Sequence, residues 1–145
     1  MNDNLQENYK RYLKRLDKAR KEKASYMSNA KWFNFFSAIE QLDVFLPKAQ
    51  VKFLPTEEQT FDFALKSSFN ERGILDCNAC GPFSYNEIEW IFIPAVVEFE
   101  RFNREEKLQS TFKTVDLSVL VKTLNNLGQY EFEIDEKGLK LYGYK

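Results

Sequence analysis

Histidine is absent from this chain. It is the usual general acid/base and the commonest metal ligand near neutral pH, so its absence excludes Ser-His and Cys-His catalysis and most zinc chemistry. Cysteine is almost absent, with the only two in Cys77-Asn78-Ala79-Cys80. Such a pair is half a zinc site, and here no second pair and no histidine exist to complete it. A redox role wants the first cysteine at a helix N-terminus, and Gly81-Pro82 argues against a helix there. No metal, cofactor or catalytic residue is therefore expected. Glycine and proline are scarce, at five and four, which opposes a loop-rich or disordered chain and leaves no phosphate-cradling glycine loop. Long apolar runs are missing too. The longest nearly uncharged stretch, Ile91 to Val97, falls far short of the ~20 residues that span a bilayer. Met1 to Tyr12 has no apolar core of a secretory signal. The expectation is a cytoplasmic protein with no membrane span.

Aromatic residues are abundant. Fourteen Phe, seven Tyr and two Trp offer ~150–250 Å² of buried surface each, enough to close one core without disulfides. A chain of 145 residues reads as one folded domain. Its formal charge of −1 hides an asymmetry: residues 1–24 carry eight Lys or Arg against four Asp or Glu, and the remainder nets −5. A basic arm precedes an acidic body, and the two can attract each other or address different partners.

Residues 4–24 read as an amphipathic helix, with Leu5, Tyr9, Tyr12, Leu16 and Ala19 at helical spacing and charge on the other faces. Such a helix either lies across the body or pairs with another chain. Ser28 or Asn29 caps a second helix, through about residue 43, that buries Trp32, Phe33, Phe36, Ile39 and Leu42. Residues 50–54 and 60–66 alternate as half-buried strands. Residues 67–84 read as a long surface loop. Residues 85–93 form the clearest strand, with Ile88, Trp90 and Phe92 on one face and Glu87, Glu89 and Ile91 on the other. Pro94 breaks it, and residues 96–102 return as an adjacent strand. The charged stretch 98–113 reads as an expanded connection. Thr114 or Asp116 caps a third helix that ends at Gly128. Residues 130–134 and 139–144 make a closing hairpin. The sum is an α+β fold: an antiparallel sheet of about five to six strands packed with helices, plus the N-terminal basic helix. The boundaries are 1–27 for that helix and 28–145 for the domain.

Four segments carry a resemblance: Asn29-Ala30-Lys31-Trp32 opening a helix, then Val51-Lys52-Phe53-Leu54, then Tyr85 to Ile91, then Leu139-Lys140-Leu141-Tyr142-Gly143-Tyr144. In this order and approximate spacing, residues 28–145 resemble the bacterial DUF6678 family, with the basic helix outside. The resemblance implies a compact α+β bacterial cytoplasmic domain and supplies no catalytic residues. Small, variable bacterial domains of this type are often immunity proteins against delivered toxins, an analogy of type.

The candidate contact residues are Glu87, Glu89, Glu131, Glu133, Tyr142 and Tyr144. Glu87 and Glu89 share one strand face ~6–7 Å apart by strand rise, and Glu131 and Glu133 repeat the pattern. Paired carboxylates hydrolyse only inside a cleft, and strands with one wet face show the same alternation. With Glu98, Glu100, Glu105 and Glu106 they make an acidic surface suited to a cationic partner, such as the cleft of a nuclease toxin. Tyr142 and Tyr144 either anchor that partner or pack on the sheet. The basic helix is diluted by Glu7, Asp17 and Glu22, which disfavours nucleic acid. The expected function is non-catalytic protein binding, led by an immunity protein that binds and neutralises a cognate toxin through acidic strand faces and the 67–84 loop. The alternatives are a carboxylate- or cysteine-dependent enzyme, and an adaptor or oligomer built through residues 4–24.

Overall fold

In the computed structural model, residues 3–56, 59–66, 69–70, 72–77, 81–103 and 106–145 are described. Helix α1 spans Asp3–Glu22 and helix α2 spans Asn29–Glu40. Ser28 caps α2, its hydroxyl accepting the Lys31 N–H at 3.1 Å. The strands that follow are β1 (Lys48–Phe53), β2 (Thr60–Ala64), β3 (Ile74–Cys77) and β4 (Gly81–Ser84). A 3-10 turn, Tyr85–Glu87, leads into β5 (Ile88–Pro94), then β6 (Val96–Asn103) and β7 (Glu106–Thr114). Helix α3 covers Leu117–Leu127, capped by the Asp116 carboxylate on the Ser118 N–H, with Gly128 at positive φ beyond its end. Strands β8 (Phe132–Ile134) and β9 (Gly138–Tyr142) close the chain.

Five strands form one antiparallel sheet in the order β2-β1-β5-β9-β8. One face buries Val51, Phe53, Ile91, Ile93, Leu139 and Leu141. Trp32, Phe35, Phe36 and Ile39 of α2, with Leu120 and Leu124 of α3, complete this core. Its aromatic rings pack in stacked and edge-to-face pairs, such as Trp32 on Phe36 with centroids 5.8 Å apart. The expected α+β class is the observed one, and among the described residues no helix is long and apolar enough to cross a membrane.

The structure corrects several expectations. Residues 67–84 are not a plain loop, because β3 and β4 pair as a hairpin within them, and Leu75 enters the core. The clear strand begins at Ile88, since Tyr85–Glu87 turns in a 3-10 helix. Its facing is also reversed beyond a bulge. Phe53 pairs Ile88, but Lys52 pairs Trp90, so Glu89 is the extra residue. Ile91 and Ile93 consequently point into the core and Trp90 and Phe92 away from it. Residues 96–102 do form a strand, but outside the main sheet, because the chain turns away after Pro94. The stretch 98–113 is not a connection. It supplies β7, which pairs β6 in a separate two-stranded hairpin.

Candidate functional site

Helix α1 lies across the body. Leu16 and Ala19 pack against Leu54 and Tyr144 in a small second core. The chain leaving α1 then pairs with the C-terminal residues. The Ala24 N–H donates to the Lys145 carbonyl at 3.1 Å, and the Tyr26 N–H to that of Gly143 at 2.9 Å. Gly143 is required here, since a Cβ would fall 2.3 Å from the Ile88 carbonyl oxygen. Its own N–H and that of Tyr144 both donate to the Glu89 carbonyl, at 2.8 and 3.0 Å, which locks the β5 bulge.

That bulge decides the fate of the first acid pair. Glu87 and Glu89 do not share an open strand face. They are 9% and 6% exposed, Glu87 against Tyr12 of α1 and Glu89 against Lys23 just beyond the helix end. Glu87 accepts the Tyr12 hydroxyl on one carboxylate oxygen and the Ser84 N–H, at 2.7 Å, on the other. Burial, then the Glu87 carboxylate, holds the Tyr12 phenol above its ordinary range. Glu89 meets Lys23, at the end of the arm, at 2.9 Å and Lys52 of β1 on its other oxygen. Burial pushes the Glu89 carboxyl up, but Lys52 and Lys23 together outweigh it and hold the group below its usual range. Tyr144 is likewise no surface anchor. It is 5% exposed, and its hydroxyl donates to the Asn86 carbonyl at 2.8 Å. These three expected contact residues are satisfied inside the chain by Tyr12, Lys23, Lys52 and Asn86.

The second acid pair stays toward solvent. Lys145 bridges Glu131 at 3.1 Å and Glu133 at 3.0 Å, and the Tyr142 hydroxyl donates to Glu133 at 3.0 Å. Hydrogen bonds from Lys145, then from Tyr142, hold Glu133 below the ordinary carboxylate range. Lys140 lies over the Trp90 ring at 4.2 Å and the Tyr142 ring at 5.5 Å. Glu131, Glu133 and Tyr142 are thus accessible, with much of their charge already matched. Cys80 lies outside the described residues, and only the backbone of Cys77 is described, within β3.

A strongly exposed apolar surface lies elsewhere, on the β6–β7 hairpin. Phe112 is 68% exposed, Phe102 61%, Val96 51% and Phe99 44%. Phe99 meets the Phe45 ring, with centroids 6.2 Å apart, while Lys113 sits 4.0 Å above the Phe45 ring. Glu98, Glu100 and Glu106 are interleaved with these side chains, and Glu100 has a loose bridge to Lys107 at 3.7 Å. Glu105 lies outside the described residues. A signal for this element exists in the sequence. Two runs of strand-forming residues flank Asn103, a turn residue, but seven charges within residues 98–107 mask the alternation.

Residues 15–145 match the model of a family of unknown function (DUF6678), so the resemblance extends into the second half of α1 rather than starting at residue 28. No curated protein and no solved structure matches the chain.

Proposed function

The chain belongs to the DUF6678 family, whose function is unknown, and from that premise we propose a non-catalytic protein-binding domain whose contact element is the β6–β7 hairpin. The observation that carries this reading is the exposure of Phe99, Phe102 and Phe112, whereas Phe35, Phe36, Phe53 and Phe63 are buried. Each Phe has ~150–250 Å² to bury, and apolar area removed from water contributes about 25 cal/mol per Å². A two-stranded hairpin standing on its own is marginal in water, and a partner that covers it supplies the missing packing.

Toxin neutralisation is the narrower form of the same reading. It is supported by the acids that fringe the hairpin, Glu98, Glu100 and Glu106, which would draw in and orient a cationic partner. Glu87 and Glu89 stand outside this proposal, because both are buried against Tyr12, Lys23 and Lys52. A bacterial, cytoplasmic setting belongs to this proposal. The test is affinity capture of the tagged chain from its native host, with wild type beside a Phe102→Ser/Phe112→Ser variant. One stoichiometric protein held by the wild type and lost by the variant is expected. Equal recovery from both moves the interface off the hairpin.

One observation favours self-association as a second reading. Leu5, Tyr9 and Leu13 are 65%, 62% and 39% exposed, so the apolar stripe of α1 runs on past the part that docks. Deleting residues 1–11 keeps Tyr12 and removes most of that stripe. An unchanged solution mass would rule this reading out.

A further inference from the structure

A cleft of about 510 Å³ lies between the base of the hairpin and the segment that leads into β1. One wall consists of Val96, Val97, Glu98 and Phe99, and the facing wall of residues 45–48, with Pro94 between them. The lining of the first wall is four consecutive residues of one strand. Side chains of a strand alternate between its faces, so a cleft looking onto a face is lined by every second residue. Consecutive lining means that this cleft looks onto the edge of β6. That edge is free: among the described residues β6 pairs with β7 alone. Every second residue of β6 therefore directs its N–H and C=O away from β7, toward the cleft.

The same geometry specifies the occupant. A row of unpaired backbone groups selects an extended strand over a helix or a small molecule. On one face of β6, Val97 and Phe99 stand beside Phe45 and Pro47, and call for apolar side chains. On the other face stand Glu98 and Glu100, and Glu98 has no ion pair among the described residues. Cations opposite them would be stabilised. A second copy of β6 fits badly in the registers centred on residues 99 and 100. Antiparallel pairing about a two-fold axis at Phe99 sets Glu98 against Glu100, and about Glu100 sets that residue against itself. Like charges directly opposite each other in a sheet are destabilising.

We infer that the free edge of β6 takes up an extended segment of a partner protein as a third strand, with apolar and basic residues alternating along it. The inference rests on the hairpin being the protein-contact element and adds how the partner is held. The probe is a fluorescein-labelled peptide of alternating Val and Lys, as long as β6. Two controls accompany it: the same peptide with Glu in place of Lys, and the Val-Lys peptide with alternate amides N-methylated. Anisotropy titrations against the full chain should show the Val-Lys peptide binding at least about tenfold more tightly than either control, with loss of that preference in Glu98→Lys/Glu100→Lys. Amide exchange should slow in β6 on binding. Equal binding of the N-methylated peptide, absence of binding, or protection at β2 or β8 instead would overturn strand addition. Capture of a protein that depends on Phe102 and Phe112 while β6 gains no protection would sink this inference and leave the hairpin reading standing. Loss of both results would remove both.

Discussion

Glu87-Ile88-Glu89 and Glu131-Phe132-Glu133 are the same short pattern, and the fold gives them opposite environments. In the first pair Glu87, in the 3-10 turn, is held by Tyr12 of α1, and Glu89, in the bulge, by Lys23 and Lys52. The second lies at the rim of the sheet, where among the described residues β8 pairs with β9 alone and Lys145, Tyr142 and Lys140 approach. The difference comes from what covers each pair rather than from the acids. A buried carboxylate depends on every partner it has, whereas an exposed one exchanges a partner for water at little cost.

The comparison is broken most thoroughly at Gly143. Its lack of a side chain lets β9 follow the bulge that turns Glu89 toward Lys52 and Lys23. Gly143→Ala must push the chain off the Ile88 carbonyl, with an expected loss of about 3 kcal/mol in urea unfolding. Next is Glu89→Ala, which strands the Lys52 amine, itself only 15% exposed. The expected loss is about 2 to 3 kcal/mol, below the range for a fully buried pair because Lys23 remains in water. The same residue makes a pH prediction. Its carboxyl lies below the ordinary 4.5 when folded. Its stabilisation is therefore complete above that value and is lost as pH falls through the lower, folded one. Acid unfolding curves of Glu89→Gln should be correspondingly flatter below about pH 4.5, and an unchanged slope would mean that the ion pairs contribute nothing.

Tyr12→Phe tests the other acid of the first pair. It removes one hydrogen bond to a buried carboxylate and should cost about 1 to 2 kcal/mol, with faster amide exchange along α1. An unaltered α1 would show that Leu16 and Ala19 suffice to hold it. The smallest effect is expected for Glu133→Ala, whose urea midpoint should stay within the scatter of the measurement. A clear loss there would erase the contrast between the pairs.

Much of the fold was legible from local pattern. Ser28, Asp116 and Gly128 bracket helices in the sequence as they do in the structure, because capping depends on one side chain and its near neighbours. Alternation found β1 and β2, and the spacing about a turn found β8 and β9, to within a few residues for the same local reason. Much less of the candidate site was legible. The alternation rule assigns Glu89 to the wrong neighbours because a bulge shifts the phase of β5, and a bulge is set by pairing with β1 and β9. Tyr142 and Tyr144 share a face by spacing, yet only Tyr144 is covered, because α1 and residues 24–26 return to that end of β9. Strand β6 was legible, but β7 and its pairing escaped notice because the charges of 98–113 resemble those of a solvated linker.

What the sequence determined by itself is what depends on neighbours along the chain: the class of the fold, its helix ends, its aromatic core and the exclusion of histidine chemistry. Which acids meet cations, which tyrosine is buried and which phenylalanines face water were decided only when distant segments came together. Residues 12, 23, 52, 87 and 89 become one site through a helix docking and a bulged strand pair, and no local pattern encodes a contact across 75 residues.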